Sequence, residues 1–349
     1  MTAVATGAQR LLEGPVWLAD RGRWLFLKAL GPLAKPLVRQ RELRVAVAGS
    51  TMVLLALAGA VFLPMWMLAI GPILWGTPHV LSDVRYLWVR PGRHRRWALW
   101  VFVGVPLLML TITAHPAWGF GAAVGALVGA RAPFWKKLLL LPIPLGLVWL
   151  ALEHRYLTTV VFAHAHNFIG VALFWAWRRR TGPLHFLPLV LFGLACALLM
   201  SGWLDDAVRS MGPLSVNLGG LDVYYHLASL SPGVPGMVGI RLVLLFTFAQ
   251  SMHYAVWVRL VPEEDRQRET PRTFAATFRA LRVDFGPWLL GAAMATTLGV
   301  AVWAAWDVFA ARNGYLRGVL FHGHLEVAAA CLLLVEGLRP RASTEHAPA

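Results

Sequence analysis

Apolar residues run in long blocks along this chain, and short polar segments separate the blocks. Each block is close to the length at which an α-helix, rising 1.5 Å per residue, crosses a hydrocarbon core of about 30 Å. We find no internal repeat that would indicate a solenoid. The pattern predicts an all-α, polytopic transmembrane helical bundle with about ten spans, at 45–66, 67–89, 97–114, 117–131, 134–152, 156–177, 184–202, 238–260, 286–308 and 317–338.

Composition agrees with a membrane location. The 349 residues are 58% hydrophobic and only 14% charged, whereas a soluble domain carries roughly 25% charged residues. We therefore expect a multi-pass integral protein of a bacterial-type inner (plasma) membrane, with the lipid bilayer as its main partner. The sequence does not indicate the oligomeric state.

The net charge of +15 has a topological explanation. With the N-terminus inside, 27 of the 32 lysines and arginines fall in inner segments, among them the run Arg178–Arg180. Lysine and arginine accumulate in cytoplasmic loops of membrane proteins. This distribution predicts that both termini are cytoplasmic, and it accounts for the charge without a nucleic-acid partner.

Three regions follow from these patterns. Residues 1–44 mix basic side chains with Trp17 and Trp24, which fits either an amphipathic helix on the inner membrane face or a partly ordered basic tail. Residues 45–338 form the transmembrane bundle, and residues 339–349 form a cytoplasmic tail. The longest outer segment, from Trp203 to Gly236, fits a lid over a cavity or an ordinary ordered loop.

Four of the predicted spans carry ionisable or polar residues near the middle of the membrane. Such groups cost several kcal/mol in lipid, so they face the bundle interior and find partners. A single intramembrane histidine fits a hydrogen bond between two helices, but four spans at matched depth favour one shared site. The residues concerned are His79, Asp83, His164, His166, His253, Tyr254, His322, His324 and Glu326.

The chemistry of these groups favours a metal centre. Neutral imidazole is a good ligand for iron, copper or zinc. We expect Fe²⁺, with copper, zinc or haem as alternatives, and we assign catalytic roles to Asp83, Glu326 and Tyr254. Each carboxylate fits either a direct ligand or an acceptor that fixes a histidine tautomer and moves protons. The candidate metal ligands are His79, His164, His166, His253 and His324.

Helix geometry restricts this set. Residues two apart lie about 200° apart around a regular α-helix, so His164 and His166 both reach one ion only if the helix bulges there. The same restriction applies to His322 and His324, where His322 shares a face with Glu326. The sequence leaves open which member of each pair faces the site.

One segment of the second span carries a family resemblance. Gly76-Thr-Pro78-His79-Val-Leu-Ser-Asp83 resembles the Gly-x-Pro-His-x-x-x-Asp pattern of the Brp/Blh-type bacterial β-carotene dioxygenases. The resemblance covers about one span and these four matched positions. It implies a multi-span membrane protein that holds iron through histidines and cleaves β-carotene to retinal with O₂.

Three functions remain as hypotheses. The first is a membrane-embedded metal oxygenase or oxidase that acts with O₂ on a lipid-soluble apolar small molecule such as a carotenoid. The second is a proton- or cation-coupled transporter that uses the same His/Asp/Glu cluster, which would require water access from both sides. The third is a haem-binding or structural subunit of a membrane redox complex, which a haem absorption band would identify.

Overall fold

Helices make up most of the described part of the chain. The structure is a computed structural model that describes residues 2–177, 182–210, 212–266 and 268–337, with side chains from residue 14 onwards. Within these ranges the only β-structure is an isolated bridge between Leu218 and Leu221, so the all-α prediction is confirmed. The run Arg178–Arg180 and the predicted tail, 339–349, lie outside the described residues.

Eighteen α-helices are described. The first nine are α1 (Thr2–Ala29), α2 (Ala34–Arg39), α3 (Arg41–Phe62), α4 (Pro64–Asp83), α5 (Trp97–Leu99), α6 (Val105–Thr113), α7 (Pro116–Gly129), α8 (Phe134–Leu140) and α9 (Pro142–Glu153). The remaining nine are α10 (Arg155–Trp177), α11 (Leu187–Ser201), α12 (Asp205–Ser210), α13 (Val223–Leu230), α14 (Gly236–Ala255), α15 (Val261–Glu264), α16 (Phe274–Trp306), α17 (Val308–Gly318) and α18 (Phe321–Glu336).

Several of these helices are long and apolar enough to cross a membrane. Seven stretches of the described chain meet that requirement, and Trp97–Thr113 and Pro116–Gly129 are shorter apolar helices. Each of the ten predicted intervals is helical over most of its length. The membrane-spanning character is therefore supported by the helices, whereas the count of ten and the cytoplasmic termini remain predictions. The seven stretches are Arg41–Phe62, Phe134–Glu153, Arg155–Ala176, Pro183–Ser201, Gly236–Glu264, Phe274–Trp306 and Val308–Glu336.

Two boundaries differ from the hydropathy pattern because glycine and proline act on the backbone. The first span ends at Phe62, and Pro64 begins α4, a position where its missing N–H costs nothing. Helix α16 begins twelve residues before the predicted span at residue 286, and it bends at Gly286, whose φ of 76° and ψ of 166° are not helical. Hydropathy records only polarity, so it detects neither break.

The N-terminal helix α1 lies against the start of α16. The Asp20 carboxylate accepts hydrogen bonds from the backbone N–H groups of Phe274 and Ala275, at 2.6 and 3.0 Å. These N–H groups belong to the first turn of α16, where no intrahelical acceptor exists. Trp17 and Phe26 on α1 are exposed. Residues 2–29 are thus helical, with aromatic side chains left uncovered.

Close helix packing surrounds the polar middle of the bundle. Helix α7 packs against α18 through small residues, and Ala122, Ala123 and Ala126 are fully buried. Small side chains let helix backbones approach closely in membranes. Helices α4, α10 and α14 border the same interior as α18. These four helices carry the polar residues singled out above.

Candidate metal centre

Four histidines from four different helices meet in the interior of the bundle. His79 lies on α4, His166 on α10, His253 on α14 and His322 on α18. The ring centroid of His79 is 4.9 Å from that of His322 and 5.5 Å from that of His253. The His166 ring is 5.3 Å from the His253 ring and 5.4 Å from the His322 ring. We call these four residues the histidine cluster.

One carboxylate joins the cluster at a spacing that suits a metal ion. Ligand atoms of His79, Asp83, His253 and His322, one from each residue, all lie within 4.8 Å of one another. Metal–nitrogen and metal–oxygen bonds of 2.0–2.2 Å place neighbouring ligand atoms about 3–4 Å apart. Small side-chain rotations would bring these four atoms to that separation. His166 adjoins the group through its contacts with His253 and His322.

Backbone hydrogen bonds fix which ring nitrogen is free to bind a metal. A carbonyl oxygen only accepts, so Nδ1 of His79 donates to the Trp75 carbonyl at 3.1 Å, and Nδ1 of His322 donates to the Val319 carbonyl at 2.6 Å. His166 makes the same bond to the Phe162 carbonyl at 3.3 Å. With the proton on Nδ1, the lone pair is on Nε2. These hydrogen bonds therefore hold all three rings with the proton on Nδ1, so each ring can bind a metal through Nε2.

Several polar atoms of the site lack an aligned hydrogen-bond partner. They are Nε2 of His79, both carboxylate oxygens of Asp83 and both ring nitrogens of His253, and all three residues are almost completely buried. A buried polar atom without a partner costs about 1–3 kcal/mol, and a charged one costs more. A bound cation would give a partner to Nε2 of His79, to the Asp83 carboxylate and to one ring nitrogen of His253, so the residues present fit a metal ion.

A second carboxylate lies beside the cluster. Glu326 is one helical turn beyond His322 on α18 and is fully buried. Its Oε1 atom is 3.4 Å from Nε2 of His253, without the alignment of a hydrogen bond. The Trp257 indole faces the same carboxylate. Glu326 is thus placed either to bind a cation or to exchange a proton with His253.

Two of the helices change from α-helical to π-helical geometry directly after the residues that they contribute to the site. Helix α4 ends at Asp83 and continues as a π-helix over Val84–Val89, and α14 ends at Ala255, two residues after His253, and continues as a π-helix over Val256–Leu260. π-Helical turns are rare and occur often at functional sites. Pro78 also removes one backbone N–H from α4 beside His79. Two of the three π-helical segments in the described residues thus follow directly on helices that carry site residues, and the third covers Trp100–Gly104.

Two glycines allow the close approach of helices around the cluster. A Cβ atom at Gly170 on α10 would lie 2.4 Å from Nδ1 of His253. A Cβ atom at Gly76 on α4 would lie 2.4 Å from the Tyr315 hydroxyl. Both separations are shorter than van der Waals contact, so only glycine fits at these positions.

The remaining sequence-predicted histidines lie elsewhere. Nε2 of His164 donates to the Leu230 carbonyl at 2.8 Å, and the ring packs against Phe246. The His324 ring packs between Phe120 and Phe162, with centroid distances of 4.9 and 4.0 Å. Neither residue belongs to the group of converging ligand atoms. His164 and His324 serve as contacts between neighbouring elements.

The other predicted site residues lie at the cluster. His79, His166, His253, Asp83 and Glu326 are placed as described above. The Tyr254 ring lies 4.3 Å from the His79 ring, measured between centroids. All six residues therefore lie close together in the interior that α4, α10, α14 and α18 border.

Two further residues belong to this neighbourhood. His322 converges with the ligand atoms, and its sequence signal was the face it shares with Glu326. Tyr315 lies over Gly76, and its buried hydroxyl has no aligned hydrogen-bond partner. No motif in the sequence distinguishes Tyr315, because its place depends on how α17 packs against α4.

The rings of the site differ in exposure. His79, Asp83 and His253 are at most 1% exposed, whereas His166 and His322 are only partly buried. No protein-family model, curated protein or solved structure matches this chain.

Proposed function

We propose that this protein is a membrane-embedded oxidoreductase with a non-haem iron centre held by the histidine cluster. It would act with O₂ on a lipid-soluble apolar substrate such as a carotenoid. The observation that carries the proposal is the convergence of His79, Asp83, His253 and His322, whose ligand atoms lie within 4.8 Å of one another and include buried atoms that lack other partners.

The donor set supports a redox metal. Several neutral imidazoles with one or two carboxylates suit iron(II), and such sites keep positions open for O₂. The four rings pack with centroids 4.9–6.1 Å apart. This spacing favours a single ion over a haem, which needs a wide flat slot between its axial histidines. Similarity of Gly76, Pro78, His79 and Asp83 to the Brp/Blh-type pattern also supports iron.

Each side chain has a task in this proposal. His79, His253 and His322 hold the metal, and His166 completes the ring of imidazoles. When bound, iron would supply the one-electron chemistry and the activation of O₂. Asp83 balances the charge of the metal. Glu326 holds or releases a proton beside His253, at a separation of 3.4 Å.

The surroundings support an apolar substrate. Phe120 and Phe162 contact each other next to His324 and extend the wall near His166. Helices α9 and α10, which flank that side, have mostly exposed spans that would face lipid. A hydrophobic substrate dissolved in the bilayer would therefore enter the bundle on the side of His166 and His322, the two partly buried rings of the cluster.

A second function has one observation in its favour. Asp83 and Glu326 are both fully buried and lie at the same centre, and paired carboxylates in a membrane are typical of proton- or cation-coupled transporters. A transporter needs no tightly bound transition metal, so metal analysis distinguishes the two proposals.

Metal content of purified variants tests the proposal. We expect about one iron per chain in the wild type, and a loss of at least about tenfold in metal affinity for His253→Ala and His322→Ala, because ligands matter at least as much as their supporting partners. His324→Ala, on the same helix as His322, and His164→Ala on α10 are matched controls that remove a histidine outside the group of converging ligand atoms, and both should retain the metal. O₂ consumption with a carotenoid in detergent should follow metal content. The same metal content in all four variants would contradict the proposed metal site.

A further inference from the structure

A long cavity lies on a different face of α4 from the histidine cluster. It has a volume of about 580 Å³ and is enclosed by α1, α4, the segment around residues 258–272 and α16, a size that falls within the range of small-molecule sites. On α16 its lining runs from Phe274 to Thr297, which is about 35 Å of helix. The bend at Gly286 lies midway along this wall.

The two ends of the cavity differ in chemistry. Along α4 and the second half of α16, the walls are formed by apolar side chains such as Leu81, Leu290 and Met294. The other end is basic. Five arginines line it, together with a single acidic residue, Glu263: they are Arg23, Arg85, Arg259, Arg266 and Arg272.

The acidic groups near this basic end already have partners. Glu263 accepts from Nε and Nη2 of Arg44 at 3.1 and 2.5 Å, and from Arg259 at 2.8 Å. Asp284 accepts from Arg85 at 2.6 Å and from Arg90 at 2.8 Å. The positive charge at the end of the cavity therefore exceeds the negative charge there.

Two buried guanidinium groups retain free hydrogen-bonding capacity. Nη2 of Arg85 has no aligned partner, and the side chain is 4% exposed. Nη1 of Arg266 also has none; it lies 3.7 Å from Oε1 of Glu263, and the side chain is 8% exposed. Both residues line the cavity. A buried charged donor without an acceptor is costly, which points to an anion as the missing partner.

The electrostatics of Arg266 agree with this reading. The pKa of Arg266 is lowered to about 10, first by burial and then by the neighbouring charges of Arg272, Arg44 and Arg41, while the charge of Glu263 acts in the opposite direction. An anion bound among these guanidinium groups would relieve their mutual repulsion.

We propose that this cavity binds one anionic phospholipid from the adjacent membrane leaflet. Its phosphate would lie between Arg85, Arg266 and Arg272, and an acyl chain would follow the apolar wall of α4 and α16. Arginine forks suit phosphate oxygens, and basic pockets between transmembrane helices bind anionic headgroups. The outer face of α16 is exposed, with Trp288 at 89% and Leu298 at 67%, so the lipid can arrive laterally.

Lipid binding measured by native mass spectrometry tests the proposal. The whole chain, delipidated in mild detergent, is titrated with phosphatidylglycerol and, separately, with phosphatidylcholine. We expect one tightly bound phosphatidylglycerol and a loss of about tenfold or more in its affinity for the double variant Arg266→Gln/Arg272→Gln. Arg279→Gln/Arg282→Gln removes the same charge from exposed positions of α16 and should bind like the wild type.

A second variant and two competitors complete the test. Ala293→Phe fills the apolar wall without altering a charge and should also weaken phosphatidylglycerol binding, with metal content and melting temperature unchanged. Equal losses in both arginine double variants would overturn the proposal, as would full phosphatidylglycerol binding by Ala293→Phe. Displacement by inorganic phosphate would indicate a simple anion site, and equally tight palmitate would indicate a fatty-acid site; either result also overturns it.

Discussion

At the scale of single residues, each of the two closely spaced histidine pairs on α10 and α18 has one member at the cluster and one member away from it. His166 and His322 turn toward the cluster, while His164 and His324 contact neighbouring elements. The reason is the helical period: α10 and α18 are regular helices at these positions, and residues two apart lie about 200° apart. Each pair therefore supplies one group to the centre and one contact between elements.

Gly170 offers a test of the packing behind His253. The Gly170→Ala variant would place a Cβ atom 2.4 Å from Nδ1 and 2.7 Å from Cε1 of this ring. We expect His253 to be displaced, with a loss of at least about tenfold in metal affinity and about 1–3 kcal/mol of stability. Metal titration and thermal unfolding measure the two effects.

Gly146→Ala is the matched control, because a Cβ atom at Gly146 meets nothing within 4 Å. This variant should bind metal like the wild type and be equally stable or slightly more so. Full metal affinity in Gly170→Ala would show that the close approach of α10 to His253 has no bearing on the site.

At the scale of elements, the described residues between Trp203 and Gly236 contain the short helices α12 and α13. Asp222 caps α13 by accepting from the Tyr225 N–H at 2.9 Å, and the Leu230 carbonyl at the end of α13 accepts from His164. Within α13, His226 is fully buried, and neither ring nitrogen has an aligned partner. Helix α13 is thus connected to α10 by the hydrogen bond from His164, and it contains a buried histidine, His226.

The burial of His226 predicts sensitivity to acid. Burial, and then the charge of Arg312, lower the pKa of His226 from 6.5 to about 3. The unfolded chain consequently binds a proton below pH 6.5 that the folded chain does not, so stability is complete above pH 6.5 and falls as the pH drops toward 3. At pH 5 this residue should cost up to about 2 kcal/mol.

Thermal unfolding in detergent at pH 7 and pH 5 measures this effect. Other groups titrate in the same range, so the comparison is with His226→Phe, which cannot bind a proton. The wild type should lose more stability than the variant between the two pH values. Equal losses would mean that His226 is protonated in the folded state without cost.

At the scale of the whole molecule, the centre depends on four helices far apart in sequence. Helices α4, α10, α14 and α18 carry one cluster histidine each, and the apolar blocks between them build the bundle. The all-helical fold and the shared depth of the histidines could be predicted, because a membrane requires satisfied backbone groups and partnered polar side chains.

Other features could not be predicted from the sequence. The choice of His322 over His324 depends on the rotation of α18, and the place of Tyr315 depends on how α17 packs against α4. Neither the rotation of α18 nor the packing of α17 against α4 leaves a periodic pattern in the sequence. The π-helical turns after Asp83 and Ala255 are also invisible to hydropathy, since they alter the backbone without changing polarity. The number of membrane crossings and the orientation of the chain remain predictions.

X-ray absorption at the metal edge of the purified wild-type protein tests the central claim most directly. We predict one iron per chain, with a first shell of nitrogen and oxygen at about 2.0–2.2 Å and the outer-shell scattering of three or four imidazoles. A spectrum without imidazole scattering, a sulfur shell, or protein that takes up no transition metal when iron is supplied would contradict the account.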